Sequence, residues 1–178
     1  MMVDRHDPDW AADLARVGKR AAMLREQSLW AIWVYRYGRR IDRRADGLCK
    51  TVETRWYWML FRLVETITGI SIARACTIGP GLRIWHFGGV FLHPNTVIGR
   101  NCTLRQGVTI GNRGADDDGA PVIGDDVELG AYAQVIGPMR IWRRLSNRRA
   151  CRRRQGAGGR RRRCRTCSPY TDVHERRA

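Results

Sequence analysis

Two histidines lie where a side chain can do chemistry: His86, in Ile84-Trp-His86-Phe-Gly-Gly, and His93, in Leu92-His93-Pro-Asn. Between Ile84 and Leu92 the chain carries two residues more than its own repeat requires, so the His86 side chain can project away from a core. An imidazole so placed can take a proton from an alcohol. His93 precedes a proline and reads first as a turn residue. Cys164-Arg-Thr-Cys167 has the spacing of half a zinc site, but no second Cys or His pair completes it, and no metal is expected. Asp116, Asp117 and Asp118 lie along a Gly- and Pro-flanked insertion, which reads as a solvated loop and not as a turn that converges ion ligands.

What positions these residues is a ladder with a period of six. Ile72, Ile78 and Ile84 are followed after a slip by Leu92, Ile98, Leu104 and Ile110, and after the insertion at 114–121 by Ile123, Leu129, Val135 and Ile141. Helices repeat every 3.6 residues and half-buried strands every two, so sixes require a coil whose short sides each turn one aliphatic residue inward. Three sides make one coil of about eighteen residues, and stacked coils form a parallel β-helix. Gly79, Gly99, Gly111, Gly124 and Gly130 follow ladder positions and suit tight corners, where positive φ or a missing Cβ is useful. Thin residues recur four places on, among them Cys76 and Cys102, which read as small core residues. With six cysteines and no secretory leader in the sequence, a disulfide scaffold is not expected.

Residues 1–69 read as helical. Asp9 is a candidate cap before Trp10, with Leu14, Val17, Ala21 and Leu24 at helical spacing; a second segment runs from Ser28 to Gly38, and a third from Val52 to Ile67, ending at Gly69. The third has a wide apolar surface, and the second is followed by Arg39, Arg40, Arg43 and Arg44. Arg55, Arg62 and Glu65 keep the third from spanning a bilayer. We read the apolar surfaces as contacts with the coil or with partner subunits, in preference to a membrane surface.

The net charge of +16 is concentrated at one end: from Arg140 onward there are fifteen Arg and two acids, leaving +3 for the rest. Stacked coils cannot continue through Arg143–Arg154 and Arg160–Arg163, because burying unpaired guanidinium groups costs more than neighbouring aliphatics contribute. The β-helix is therefore bounded at 70–141, and residues 142–178 form a disordered basic tail. Such a tail can bind nucleic acid. A shifted reading frame explains its all-Arg basic content better: with codons chosen for the purpose, Gly158–Cys164 read one base later becomes Val-Val-Val-Val-Ala-Asp-Val. A nucleic-acid partner is not expected on this reading.

Ile78-Gly-Pro-Gly-Leu-Arg-Ile-Trp-His86-Phe-Gly-Gly, Thr96-Val-Ile-Gly, Thr103-Leu-Arg-Gln-Gly-Val-Thr-Ile-Gly111 and Gly124-Asp-Asp-Val-Glu-Leu-Gly-Ala-Tyr-Ala133 resemble a serine acetyltransferase, as do Ser28-Leu-Trp-Ala and Thr68-Gly-Ile-Ser-Ile. The resemblance covers about residues 28–141. It implies an all-β left-handed parallel β-helix behind an α-helical segment, acetyl-CoA as co-substrate, a cytoplasmic enzyme of cysteine biosynthesis, and a homotrimer or dimer of trimers with sites between neighbouring coils. It carries the catalytic base onto His86, acceptor contacts onto Trp85 and His93, and acetyl-CoA contacts onto Gly111, Asn112, Arg113 and Ala131.

The departures concern the acceptor. Ser71 stands where the family has an aspartate fifteen residues before the histidine, Trp85 where an aspartate immediately precedes it, and Gly119-Ala120 where an Arg-His pair precedes the loop proline. Each lost charge-assisted bond to a zwitterionic acceptor is worth about 1.5 to 3 kcal/mol. Trp85 suits a sugar face. L-Serine is the family's acceptor, and a saccharide or exopolysaccharide precursor is the alternative. The family's later coils and its terminal Gly-Val-Pro-Ala-Arg-like segment are not found in the sequence, which endangers acetyl-CoA binding. An inactive scaffold or a basic nucleic-acid-binding protein is the reading from another class.

Overall fold

A computed structural model describes residues 7–18, 23, 26–86, 88–114 and 119–142. The aspartate run, Ala21, Leu24, the cysteine pair Cys164 and Cys167 and the basic tail beyond Trp142 lie outside the described residues. Three helices come first: α1 (Pro8–Ala15), α2 (Ser28–Asp42) and α3 (Leu48–Thr68). Asp7, two residues earlier than the sequence indicated, caps α1 by accepting the Asp9 N–H at 3.0 Å, with Pro8 in the first helical turn. Here α1 ends at Ala15, so Val17 is buried from a turn and not from the helix. At the end of α3, Gly69 adopts φ 64° and donates its N–H to Glu65 O, a left-handed stop that a Cβ would strain.

Eleven short strands follow: β1 (Ile70–Ile72), β2 (Thr77–Ile78), β3 (Arg83–Trp85), β4 (Val90–Leu92), β5 (Val97–Ile98), β6 (Thr103–Arg105), β7 (Thr109–Gly111), β8 (Val122–Ile123), β9 (Glu128–Leu129), β10 (Gln134–Ile136) and β11 (Arg140–Ile141). Every third strand falls in the same sheet, all parallel: β1-β4-β7-β10, β2-β5-β8-β11 and β3-β6-β9. The ladder residues are register partners. Ile72, Leu92, Ile110 and Val135 align down the first sheet, Ile78, Ile98, Ile123 and Ile141 down the second, and Ile84, Leu104 and Leu129 down the third. All are buried, as are Cys76, Thr96, Cys102, Val108 and Val127 at the thin positions. The insertion is absorbed between the first and second sheets of the third coil without disturbing the register on either side of it.

The corner glycines divide into two kinds, which the sequence did not separate. A Cβ on Gly79 would lie 2.9 Å from Arg100 N, and one on Gly99 2.6 Å from Gly124 C. These positions are small because consecutive coils touch there. Positive φ occurs instead one or two residues further on, at Gly81, Asn101 and Asp126 in one column of corners and at His86, Gly107 and Tyr132 in another. Asn and Asp are the non-glycine types that tolerate this region best.

The first coil has no coil before it, and α1 and α2 take that place. Tyr35 Oη donates to Cys76 O and accepts from Ile78 N. Arg36 donates to Ile78 O (2.8 Å) and Gly79 O (2.7 Å) and pairs with Asp13. Asp13 accepts from Leu82 N, Arg16 donates to Gly81 O, and Ser28 Oγ donates to Ile84 O. Arg36 is 3 % exposed and Asp13 fully buried. Burial pushes the Asp13 carboxyl above the usual carboxylate range, against the opposing pull of Arg36. The pair thus adds less stability than its short distance implies, while its hydrogen bonds set where the helices sit on the coil.

Removing one partner leaves the other buried and uncompensated. Arg36→Ala is expected to cost about 3 to 5 kcal/mol, whereas Arg62→Ala, which removes a solvated pair with Glu65, should stay within about 0.5 kcal/mol; urea unfolding of the two variants measures the difference. Burial also raises the Cys76 thiol to about 11 and the Cys102 thiol in the same direction. Near pH 8 both remain protonated, so among the described cysteines iodoacetamide should label exposed Cys49 first, with Cys76 and Cys102 reacting only on unfolding, as peptide mass mapping would show.

Candidate active site

His86 stands at the corner where the third sheet passes into the first. Ile84 points inward from β3, so Arg83 and Trp85 face outward. The chain then turns through His86 (φ 66°), Gly88 (φ 106°) and Gly89 (φ 67°) before β4 begins. This left-handed passage accommodates the two extra residues and leaves the imidazole exposed. Among the described residues the His86 imidazole has no hydrogen-bond or ion-pair partner, and the Ser71 hydroxyl, facing outward from β1, has none either.

The same corner of the next coils carries Gln106-Gly107 and Gly130-Ala131-Tyr132. Gly107 N donates to Gly88 O at 3.0 Å, and Tyr132 N to Gln106 O at 2.9 Å, which stacks the three turns in one column. Ala131 is therefore two coils from His86, about 10 Å along the axis at one strand spacing per coil. The exposed Tyr132 ring lies over Gly107, where a Cβ would meet it at 2.3 Å. At Gly111 only Ile136 Cδ1 approaches an added Cβ, at 3.8 Å, whereas Gly79, Gly99 and Gly107 are closely met by the next coil. Among the described residues nothing lies within 4 Å of an added Cβ at Gly130, whose next-coil counterpart lies outside them.

Trp85 is 42 % exposed beside His86, with the rings 6.4 Å apart. Its inner face is covered by the Arg83 guanidinium, 3.8 Å from the ring centroid, which is itself held by a bond to Arg16 O. Phe91, 50 % exposed, faces outward from β4 in register with Ser71 and Thr109.

The remaining sequence candidates lie at the opposite side of the first sheet. His93 follows β4, where its Nδ1 accepts the Asn95 N–H at 3.3 Å and its carbonyl accepts Thr96 N, a turn-holding arrangement. Gly111 ends β7; Asn112 Nδ2 donates to Gly114 O, and the Arg113 side chain lies over Gly137, whose added Cβ would meet it at 2.7 Å. One column thus holds Trp85, His86 and Ala131, and another holds His93, Gly111, Asn112 and Arg113, separated by a three-residue strand of about 10 Å. No described group of three or more His, Cys, Asp or Glu is placed to hold a metal ion. Tyr132 and Phe91 were not singled out in the sequence; only the fold shows that both rings are exposed, Tyr132 in the His86 column and Phe91 on the adjoining strand β4.

No family model matches the chain. It is 33 % identical over 129 residues to the serine acetyltransferase of Helicobacter pylori, covering 70 % of each protein. The chain belongs to the serine acetyltransferase family. It is also 43 % identical over 84 residues to a putative colanic acid biosynthesis acetyltransferase, WcaB, of Escherichia coli, covering 47 % of this chain and 52 % of that one. Among solved structures, Neisseria gonorrhoeae serine acetyltransferase in complex with serine superposes with a TM-score of 0.61 and 27 % identity, covering 74 % of this chain and 55 % of the other. The fold is the left-handed parallel β-helix of that family. The chain spans about half the length of WcaB and of the gonococcal enzyme.

The column of turns yields a stability test. Gly107→Ala combines a positive φ of 72° with a clash against Tyr132 and is expected to cost about 1 to 3 kcal/mol, whereas Gly111→Ala, whose added Cβ would meet only Ile136 Cδ1 at 3.8 Å, should cost less than about 1 kcal/mol. Thermal unfolding of both variants checks this contrast.

Proposed function

We propose that this chain catalyses O-acetyl transfer from acetyl-CoA to a hydroxyl group, with His86 as the general base. The observation that carries the reading is an exposed imidazole, lifted clear of the coil by a left-handed turn, in one column with the exposed Ala131-Tyr132 turn two coils on. His86 takes the acceptor's hydroxyl proton as that oxygen attacks the thioester carbonyl, then returns it to the sulfur as the carbon–sulfur bond breaks. An ester and a free thiol result, and no acyl-enzyme is needed. Open space at Gly111 suits the pantetheine arm of acetyl-CoA, as does the small, exposed Ala131, with Asn112 and Arg113 at the loop entrance.

The two columns of candidate residues come together when one chain's His86 corner faces the His93–Arg113 corner of another. A homotrimer, alone or paired as a dimer of trimers, supplies that arrangement. Both acetyltransferase relatives support the transferred group. L-Serine is the family's acceptor, found in the gonococcal complex, and would place the reaction in cysteine biosynthesis. Trp85 favours a second acceptor. Its outer face is open where the family has a carboxylate, Ser71 offers no charge, and Phe91 adds a second exposed ring on the adjoining sheet face. A saccharide, such as an exopolysaccharide precursor, stacks on such rings without needing those charges, and the acetyltransferase named for colanic acid is 43 % identical over its matched span.

Thiol release from acetyl-CoA, followed separately with L-serine and with hexose-containing oligosaccharides, tests both parts. His86→Ala should lower the rate about 100-fold or more with the accepted substrate; near-normal turnover would remove His86 as the base. If the acceptor is a saccharide, Trp85→Ala should raise KM for it and leave acetyl-CoA saturation unchanged, whereas release with L-serine alone would exclude the saccharide.

A further inference from the structure

Helix α3 has two apolar faces, and the fold uses only one. Tyr57 is buried, and Leu60, Phe61 and Val64 pack beside it against the core. On the outer side Leu48, Val52, Trp56, Met59, Leu63 and Ile67 are 47 to 87 % exposed. At about 100° per residue these six fall within an arc of about 100°, a continuous stripe about 30 Å long. Scattered exposed apolar residues are ordinary, but a contiguous stripe of this size marks a contact surface.

The charges at its border decide what it contacts. Arg55 and Arg62 are both exposed and lie on the same rim of the stripe. At its N-terminal end the α2–α3 connection presents Arg43 and Arg44, with side chains 64 % and 48 % exposed. Residues 39–65 contain seven basic and four acidic side chains, net +3. A second copy of the chain is the first alternative, because the stripe is symmetric: antiparallel pairing sets Leu48 opposite Ile67, Val52 opposite Leu63 and Trp56 opposite Met59. That same pairing brings Arg55 against the second copy's Arg62 on a shared rim; even with each Arg62 paired to its own Glu65, four arginines face two carboxylates there, and the net positive charge opposes it. An anionic surface removes the conflict.

We propose that the outer face of α3 docks on the anionic surface of a lipid bilayer. The helix lies flat, since no described helix is long and apolar enough to cross a membrane. The aliphatic residues and Met59 enter the acyl boundary, Trp56 sits at headgroup level, and Arg55, Arg62, Arg43 and Arg44 meet lipid phosphates. Such docking would hold His86 near acceptors attached to lipid, but it stands or falls independently of the acetyl-transfer reading.

Flotation of the full chain with vesicles of equal phosphatidylcholine and phosphatidylglycerol tests this. Because the Arg-rich C-terminal segment binds anionic vesicles through charge alone, the decisive comparison is made in high salt, where that attraction is screened. The full chain should still float, and Val52→Ser/Leu63→Ser should partition about tenfold less or lower, with unchanged circular dichroism and unfolding midpoint. Arg55→Glu/Arg62→Glu, altering only exposed side chains, should weaken binding to the mixed vesicles at low salt and leave binding to pure phosphatidylcholine unchanged. Equal flotation of the serine variant and the parent overturns the proposal. So does a fall in particle mass by light scattering for the serine variant in the absence of lipid, which would assign the stripe to a second copy.

Discussion

A stack of parallel strands must end somewhere, and at its first coil alternate peptide groups point to where no further coil exists. Left open, that edge would carry unpaired N–H and C=O groups and template the addition of foreign strands. Here Tyr35, Arg36, Asp13, Arg16 and Ser28 satisfy it peptide by peptide, from Cys76 to Ile84. The rest of the molecule depends on this closure. It fixes the height and rotation of the first coil, and every later coil inherits its register from the one above.

Inheritance of register turns a one-dimensional repeat into a site. Because Ile84, Leu104 and Leu129 align, the turns that follow them align also, and one column collects His86, Gly107, Ala131 and Tyr132 although they span almost fifty residues of sequence. The two residues added after Ile84 are absorbed by Gly88 and Gly89 in left-handed conformations, so the ladder continues undisturbed while the imidazole is displaced outward. The departure from periodicity, not the periodicity, makes the corner at which His86 stands exposed. About ten ångströms across the first sheet the other candidate residues form a second column.

Much of this was legible in the residues. The ladder positions are the inward positions, Cys76 and Cys102 are core residues of the thin kind, and Gly69 ends the last helix. The site was less legible. Ala131 and Gly111 read alike as small corner residues, yet they lie on different columns, because corner identity depends on the cumulative count around the coil, including the insertion. Gly111 and Gly99 also read alike, yet one is met only by a side-chain tip at 3.8 Å and the other by a neighbouring backbone. Their difference is created by what the adjacent coil presents at that height. The apolar residues of α3 read as one wide surface; two faces emerge only once α2 occupies one side.

The sequence by itself determined the coil, its phase, its breaks and the residue types offered at each corner, since a six-residue repeat is a local property that each coil expresses through its own side chains. Only the tertiary structure decided which corners share a column, which glycines leave space for a ligand, and which side of α3 faces outward. Those are relations between segments far apart in the chain, set by stacking and by the buried Asp13–Arg36 contact that seats the helices on the first coil.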